Sequence, residues 1–249
     1  SNVWSFVEHS TAKYVIMANC DVVTTIDFNP VLNQHMESGA DITLIYSKGY
    51  YDSEKNSCAT ILEFDENNHL KDVLVDPQIS GECNMWLEMF IISRDFLKKI
   101  VFEAASRNQS SFTREILQGK KDEYKIMGYE HKGIFTRIDS VQSYYNANQM
   151  LLETEKRNAL FVKNMPIYTK IGDNGPVKYG LDSSIKNSLI ADGCVIEGTV
   201  ENSILFRGVK VGKGTVVKNC VLLQGTKVGS NCSISYVITD KNVEVSNDK

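Results

Sequence analysis

Asn202-Ser-Ile-Leu-Phe-Arg-Gly208 and Asn219-Cys-Val-Leu-Leu-Gln-Gly225 are copies of one phrase, and Asn187-Ser-Leu-Ile-Ala-Asp-Gly193 is a third. The two later copies run on as Val209-Lys-Val-Gly212 and Thr226-Lys-Val-Gly229, and a frayed fourth copy is read at Ser235-Tyr-Val-Ile-Thr-Asp-Lys241. Successive copies begin 15, 17 and 16 residues apart, close to three hexapeptides, and each holds an aliphatic residue followed by Gly. This is the pattern of a parallel β-helix, in which each coil points apolar residues inward and turns at Gly or Asn. One coil cannot bury its own face, so at least three must stack. The repeat therefore predicts a β-helix over residues 181–249.

The 249 residues, 42% hydrophobic and 23% charged, suffice for a large core and two domains. The formal charge is −4, and residues 181–249 carry eight basic and seven acidic side chains, so no basic stripe offers itself to a nucleic acid. The six cysteines (20, 58, 83, 194, 220 and 232) form no CxxC pair and share no metal-ligand spacing with the four histidines, which reads as small buried side chains in a reducing compartment. Neither a signal peptide nor a long apolar run is present, so no membrane partner is expected and the cytoplasm is the default location. The Ser1-Asn2 start, without Met, reads as an expression scar, with the native N-terminus expected to be missing.

Ahead of the repeats, Tyr14 to Cys20 is an apolar run ending at Asp21, as expected of a strand buried on both faces of a parallel sheet. A helix over Val31–Ser38 and a strand over Asp41–Tyr46 complete a βαβ unit, placing Asp21 at the carboxyl edge where α/β sheets bind ligands. Residues 58–64 and 70–75 read as an antiparallel hairpin, and Trp86–Ile92 as a strand. Arg94–Ser106 reads as a helix with Leu97, Ile100, Val101 and Ala104 on one face, and Phe112–Leu117 as a short helix. Strands are expected at Tyr124–Tyr129 and Ile134–Ile138, then a helix over Val141–Glu153 capped by Ser140. Residues 158–180, with Pro166, Pro176 and three glycines, lack a period. The organisation expected is a mixed-sheet α/β domain over 1–155, a linker and irregular coil over 156–180, and the β-helix over 181–249. No GxGxxG phosphate loop occurs, which fits an N-terminally truncated α/β domain.

Asn19-Cys-Asp-Val-Val-Thr-Thr-Ile-Asp-Phe28, Arg137-Ile-Asp-Ser-Val-Gln-Ser-Tyr-Tyr-Asn-Ala-Asn148 and the repeats from Asn202 to Gly229 together resemble the sugar-nucleotide pyrophosphorylases, most closely the glucose-1-phosphate adenylyltransferases of glycogen synthesis. The resemblance implies an α/β nucleotidyltransferase-like domain followed by a left-handed parallel β-helix of hexapeptide repeats. It also implies transfer of an adenylyl group from ATP to glucose 1-phosphate, with carboxylates holding Mg²⁺ because that ion takes hard oxygen ligands and offsets phosphate charge.

Carried over by position, the resemblance keeps only Asp21 of the metal carboxylates. Arg137 stands where the second should be, Asp76 stands where a lysine holds the sugar phosphate, and Trp86 and Glu88 replace a Ser and a Gly beside the glucose, where they would fill the pocket. A reversed charge exchanges attraction for repulsion of order 1–4 kcal/mol per contact at ~4 Å in a wet site. The resemblance thus points to a regulatory or supporting subunit with a degenerate active site, partnered by a catalytic adenylyltransferase subunit or by itself. A chain that keeps catalysis through Asp21 and Asp139 with Mg²⁺ is the alternative, since residues 137 and 139 of one strand share a face. Acyl transfer or zinc hydration on the β-helix would need histidines there, and His9, His35, His69 and His131 all lie outside it. A non-enzymatic interaction module is the remaining class: the apolar triplets ending in Leu205-Phe206 and Leu222-Leu223 mark an outer patch expected to meet either another subunit or the chain's own first domain. Arg114, Arg137, Lys170 and Lys178 are candidates for a phosphorylated effector, with solvated surface charge as the ordinary alternative.

Overall fold

The computed structural model describes residues 2–54 and 59–249, which form two compact units, Ser1–Phe135 and Thr136–Lys249. Cys58, the expected first residue of the hairpin, lies outside the described residues.

The first unit runs α1 (Asn2–His9), β1 (Tyr14–Ala18), β2 (Val22–Thr24), α2 (Phe28–Ser38), β3 (Ile42–Asp52), β4 (Thr60–Phe64), β5 (Leu70–Val75), β6 (Ser80–Ser93), α3 (Arg94–Ser106), a π-helical turn Thr113–Gln118 and β7 (Ile126–Glu130). Local chemistry sets several boundaries. Asp27 caps α2 by accepting from Asn29 N, and Gly39, at φ 61, ends it in the left-handed conformation that costs glycine little. The β4–β5 hairpin is present as expected. Its turn closes through the Asp65 carboxylate, which accepts from the amides of Asn67 and His69.

The main sheet has the order β5-β4-β6-β3-β7, with β1 also pairing β6. Because β1 and β3 both run antiparallel to β6, they are parallel to each other with β6 inserted between them. The expected βαβ unit is therefore split. Tyr14–Ala18 is an antiparallel edge strand, not a central parallel one, and its last residues are exposed, Ile16 by 45%. An apolar run alone does not tell which neighbours a strand will have.

Long β6 changes partner along its length: Met89–Ser93 pairs β1, while Met85 pairs Ile61 of β4. At that change, two residues, Leu87 and Glu88, bulge between the pairs Tyr46↔Trp86 and Ile45↔Met89. A two-residue bulge preserves the alternation of faces, whereas a one-residue slip would turn every later side chain over. Hence Ile42, Leu44, Phe90 and Ile92 pack in one cluster with Leu97 and Ile100 of α3. Ile45, Leu87, Met89 and Ile91 pack in another cluster with Val31 of α2. Val101, expected on the buried face of α3, is 38% exposed.

The second unit starts around β8 (Phe135–Arg137), α4 (Val141–Met150) and α5 (Thr154–Leu160). Ser140 caps α4 in a reciprocal capping box with Ser143. The helix expected to reach Glu153 stops at Met150, and α5, which begins near the aperiodic stretch, was not anticipated. Its seven residues are too few to show a period.

Four coils follow: β9 (Lys178–Tyr179), β10 (Ser184–Lys186), β11 (Leu189–Ile190), β12 (Val195–Ile196), β13 (Thr199–Glu201), β14 (Ile204–Leu205), β15 (Lys210–Val211), β16 (Val216–Lys218), β17 (Val221–Leu222), β18 (Lys227–Val228), β19 (Ser233–Ser235), β20 (Ile238–Thr239) and β21 (Glu244–Val245). They stack into three all-parallel sheets, a parallel β-solenoid of about four turns. The repeated Asn187, Asn202 and Asn219 occupy one corner at φ 43–52, and Tyr236 takes the fourth place at φ 58. The fourth copy thus begins at Tyr236 rather than Ser235, and its register step is 17 residues, as in Val221↔Ile238. Asn tolerates the left-handed corner through local hydrogen bonding. Tyr lacks that local hydrogen bond yet adopts the same corner, so at the fourth coil sequence similarity fails although the geometry persists.

Inside the solenoid, Cys194, Ile196, Leu205, Val211, Cys220, Leu222, Val228 and Cys232 stack as one core. The expectation of buried cysteines holds for these three, whereas Cys20 is exposed and Cys83 only half-buried.

Candidate functional site

In the first unit the carboxyl end of β1 is set against the β6 bulge. Glu88 adopts φ 54, a left-handed conformation uncommon outside Gly and Asn. Its carbonyl accepts from Asn19 N at 3.3 Å, and its carboxylate accepts from the Asn19 side-chain amide. Asp21 lies two residues beyond Asn19, half-buried, at the start of β2. The resemblance placed a glycine and open space where Glu88 now carries a carboxylate fastened to the Asp21 loop. Trp86, by contrast, is buried among Phe90, Tyr46 and their neighbours, its indole N–H donating to Met89 O at 3.3 Å. It is part of the core. Asp76, just past the end of β5, is exposed at φ 46, with its amide donating to Ala59 O at 2.9 Å. Arg114 is on the exposed side of the π-helical turn, paired with its neighbour Glu115 at 3.2 Å.

The carboxyl end of β7, parallel to β3, carries a polar cluster that sequence reading passed over. His131 is buried, and its backbone N donates to Tyr46 O at 2.7 Å. Thr24 Oγ donates its one proton to Ile134 O at 2.8 Å, so the 2.9 Å contact with His131 Nε2 is an imidazole N–H donating to the hydroxyl. Burial pushes the His131 imidazole below its ordinary pKa, favouring this neutral form. Beside it Lys48 and Glu130 pair at 2.9 Å, and their mutual hydrogen bond raises the lysine pKa and lowers that of the glutamate. Two polar cavities of about 430 and 470 Å³ share Glu130, His131 and Lys132 in their walls. The signal in the sequence was weak, a lone histidine between charged residues, with no spacing to a second candidate.

In the second unit Arg137 ends β8 and Asp139 stands outside that strand, exposed, its amide donating to Ser143 Oγ at 2.9 Å as α4 begins. The argument that the two side chains share a strand face therefore does not apply. Lys178 is exposed on β9.

The triplets divide differently from expectation. Leu205 and Leu222 are inside the solenoid core and cannot meet a partner. The two-residue strands point their second member inward and their first, Ile204 or Val221, outward, yet both of these are also covered. Leu223 is half-buried, and Phe206 alone of the four is exposed, by 36%.

Along the outer side of β11 and β14 is a cavity of about 550 Å³, lined by Lys170, Leu189, Ala191, Ile204, Phe206 and Arg207 among others. Arg207 Nη1 donates to Lys170 O at 2.9 Å. Lys170 is one of the effector candidates named from the sequence; Arg207 is not, although it is the cation in a repeat slot that holds Asp192 and Gln224 in the flanking copies.

Among the described residues no group of three or more His, Cys, Asp or Glu side chains is arranged to hold a metal ion. The donors present do not by themselves make a Mg²⁺ site, so no step is derived through one. No helix among the described residues is long and apolar enough to cross a membrane.

Residues 177–249 match the family described as "GlmU-like, C-terminal hexapeptide". The "Glycogen biosynthesis protein GlgD" of Bacillus subtilis (strain 168) is 35% identical over 240 residues, covering 96% of this chain and 60% of that protein. The protein of the same description from Geobacillus stearothermophilus is 34% identical over 208 residues, 84% of this chain and 50% of the relative. A "Glucose-1-phosphate adenylyltransferase" of Mycoplasma mobile is 29% identical over 216 residues, 86% of this chain and 56% of the relative. The chain thus spans between half and 60% of the length of these relatives. Over nearly its whole length, the chain is a homologue of GlgD glycogen biosynthesis proteins and of glucose-1-phosphate adenylyltransferases, and it ends in a GlmU-like hexapeptide region.

Proposed function

We propose that the chain is part of a regulatory or supporting subunit of glucose-1-phosphate adenylyltransferase in glycogen biosynthesis, acting in the cytoplasm with a catalytic subunit of the same family. The observation that carries this reading is at the β6 bulge: where the resemblance calls for a small residue beside the sugar, Glu88 presents a carboxylate held by Asn19. A fixed negative charge there opposes a sugar phosphate, as does Asp76 in the place of the phosphate-holding lysine. Arg137, in the place of the second metal carboxylate, opposes Mg²⁺. Each substitution works against a charge that the reaction must stabilise, and phosphoryl-group chemistry depends chiefly on such stabilisation. The names of the similar proteins support the assignment to glycogen synthesis.

The test is ADP-glucose synthesis by the full-length protein alone, by the catalytic subunit alone and by the two mixed. The expected result is background activity alone and an altered rate, or altered response to phosphorylated metabolites, in the mixture. Robust synthesis by the protein alone would sink the reading. If synthesis does occur, Mg²⁺ on Asp21 is the first site to examine by Asp21→Asn.

A further inference from the structure

We propose that the cavity on the outer side of β11 and β14 binds a small amphipathic anion, its planar apolar part on Leu189, Ile204 and Phe206 and its phosphate or carboxylate on Arg207. The proposal rests on the regulatory reading only for its biological meaning. The binding itself follows from the cavity.

Three observations converge. The cavity measures about 550 Å³, and much of its lining is aliphatic or aromatic, as in small-molecule sites. A guanidinium stands in that lining with no ion-pair partner among the described residues; it donates to the neutral carbonyl of Lys170. Asp192 occupies the equivalent slot one coil earlier and does not pair with it. Arginine has five N–H donors in a fixed fork, so a guanidinium spending one on a carbonyl keeps a face for a bidentate anion.

The third observation is that the guanidinium is positioned. A Cβ at Gly172 would lie 3.1 Å from Arg207 Nη1, so the backbone of that segment packs directly against it. The same segment is tied to the solenoid a second time, where Gly193 N donates to Gly175 O at 2.7 Å. Lys170, on this strap, adds a second positive charge to the rim. An apolar floor with cations at its edge selects a ligand having both a ring-like apolar body and a negative group. Inorganic phosphate satisfies only one half of the site and a neutral aromatic only the other.

The experiment uses 1-naphthyl phosphate as probe, titrated into the chain alone and followed by its fluorescence, with 1-naphthol and inorganic phosphate as controls. Saturable binding is expected, at least tenfold tighter than either control. Arg207→Gln should weaken it about tenfold and Arg207→Lys less. Ala191→Phe, which fills the cavity without changing charge, should abolish it. Melting curves establish folding, and Arg207→Gln carries the test if the filled variant melts early. Equal affinity in Arg207→Gln, equal binding of 1-naphthol, or no saturable binding would each overturn the proposal. Because no catalytic partner is present, these outcomes are separate from the activity test above.

Discussion

At the scale of single residues, the candidate edge is defined by side chains in unusual settings. Glu88 is held at φ 54, where a Cβ is disfavoured and a β-branched one more so. Glu88→Gly is expected to change stability by less than about 1 kcal/mol, because relief of strain offsets the lost contact with Asn19, whereas Glu88→Val should cost more than about 1 kcal/mol. Urea midpoints of the two variants check this ordering. His35 and His131 are both buried and hydrogen-bonded, His35 Nδ1 to Thr43 Oγ at 2.8 Å, and burial lowers both pKa values. For His35 the nearby Asp41 partly opposes that effect. A histidine with a depressed folded-state pKa binds its proton first in the unfolded chain, so its contribution is intact above about pH 6.5 and is lost as pH falls below it. Stability measured from pH 7.5 to 5 should therefore fall, and His35→Asn should flatten the slope even where it lowers the starting value. An unchanged slope in that variant would remove His35 as a source.

At the scale of elements, the solenoid is held by what cannot fit as much as by what packs. A Cβ on Gly198 would stand 2.3 Å from Thr215 O and 2.8 Å from Gly212 O, two backbone carbonyls of the next coil. A Cβ on Gly208 would meet nothing within 4 Å, and only its φ of 71 opposes substitution. Gly198→Ala should thus lower stability by more than about 2 kcal/mol and Gly208→Ala by about 1 kcal/mol, a difference readable in thermal midpoints. Leu222, fully buried in the solenoid core, should cost about 2–5 kcal/mol as Leu222→Ala, and Phe206→Ala well under half of that. Equal losses would mean that Phe206 is not at the exposed position found for it.

At the scale of the whole molecule, the positions that depart from the resemblance are distributed. Asp76 directly follows β5, Glu88 belongs to β6 and Arg137 ends β8, so the altered positions lie on or beside three separate elements. Catalytic groups that act as a unit are not restored one at a time. Full-length protein with Arg137→Asp alone is accordingly expected to make ADP-glucose at background rate, and a rise of more than about tenfold would show that the remaining positions are compatible with catalysis.

The repeat phrase, by itself, determined the solenoid: Asn at one corner, Gly at another and aliphatic residues between them are local requirements repeated each turn, and local requirements are visible in a chain. Asp21 stood out for the same reason, as the kept member of a short phrase, and Asp76, Glu88 and Arg137 as departures from such phrases. Pairing decided the rest. The apolar run at Tyr14–Ala18 has the composition of a central strand, but β6, more than sixty residues later, occupies the place beside it and leaves it at an edge. Leu205 and Phe206 are adjacent in sequence, yet alternation sends one into the core and leaves the other exposed. Arg207 gained its candidate role only when the strap at Lys170 and the outer side of two coils enclosed a cavity around it. Contacts between residues far apart in the chain depend on which surfaces meet, and periodicity within one segment contains no record of the partner.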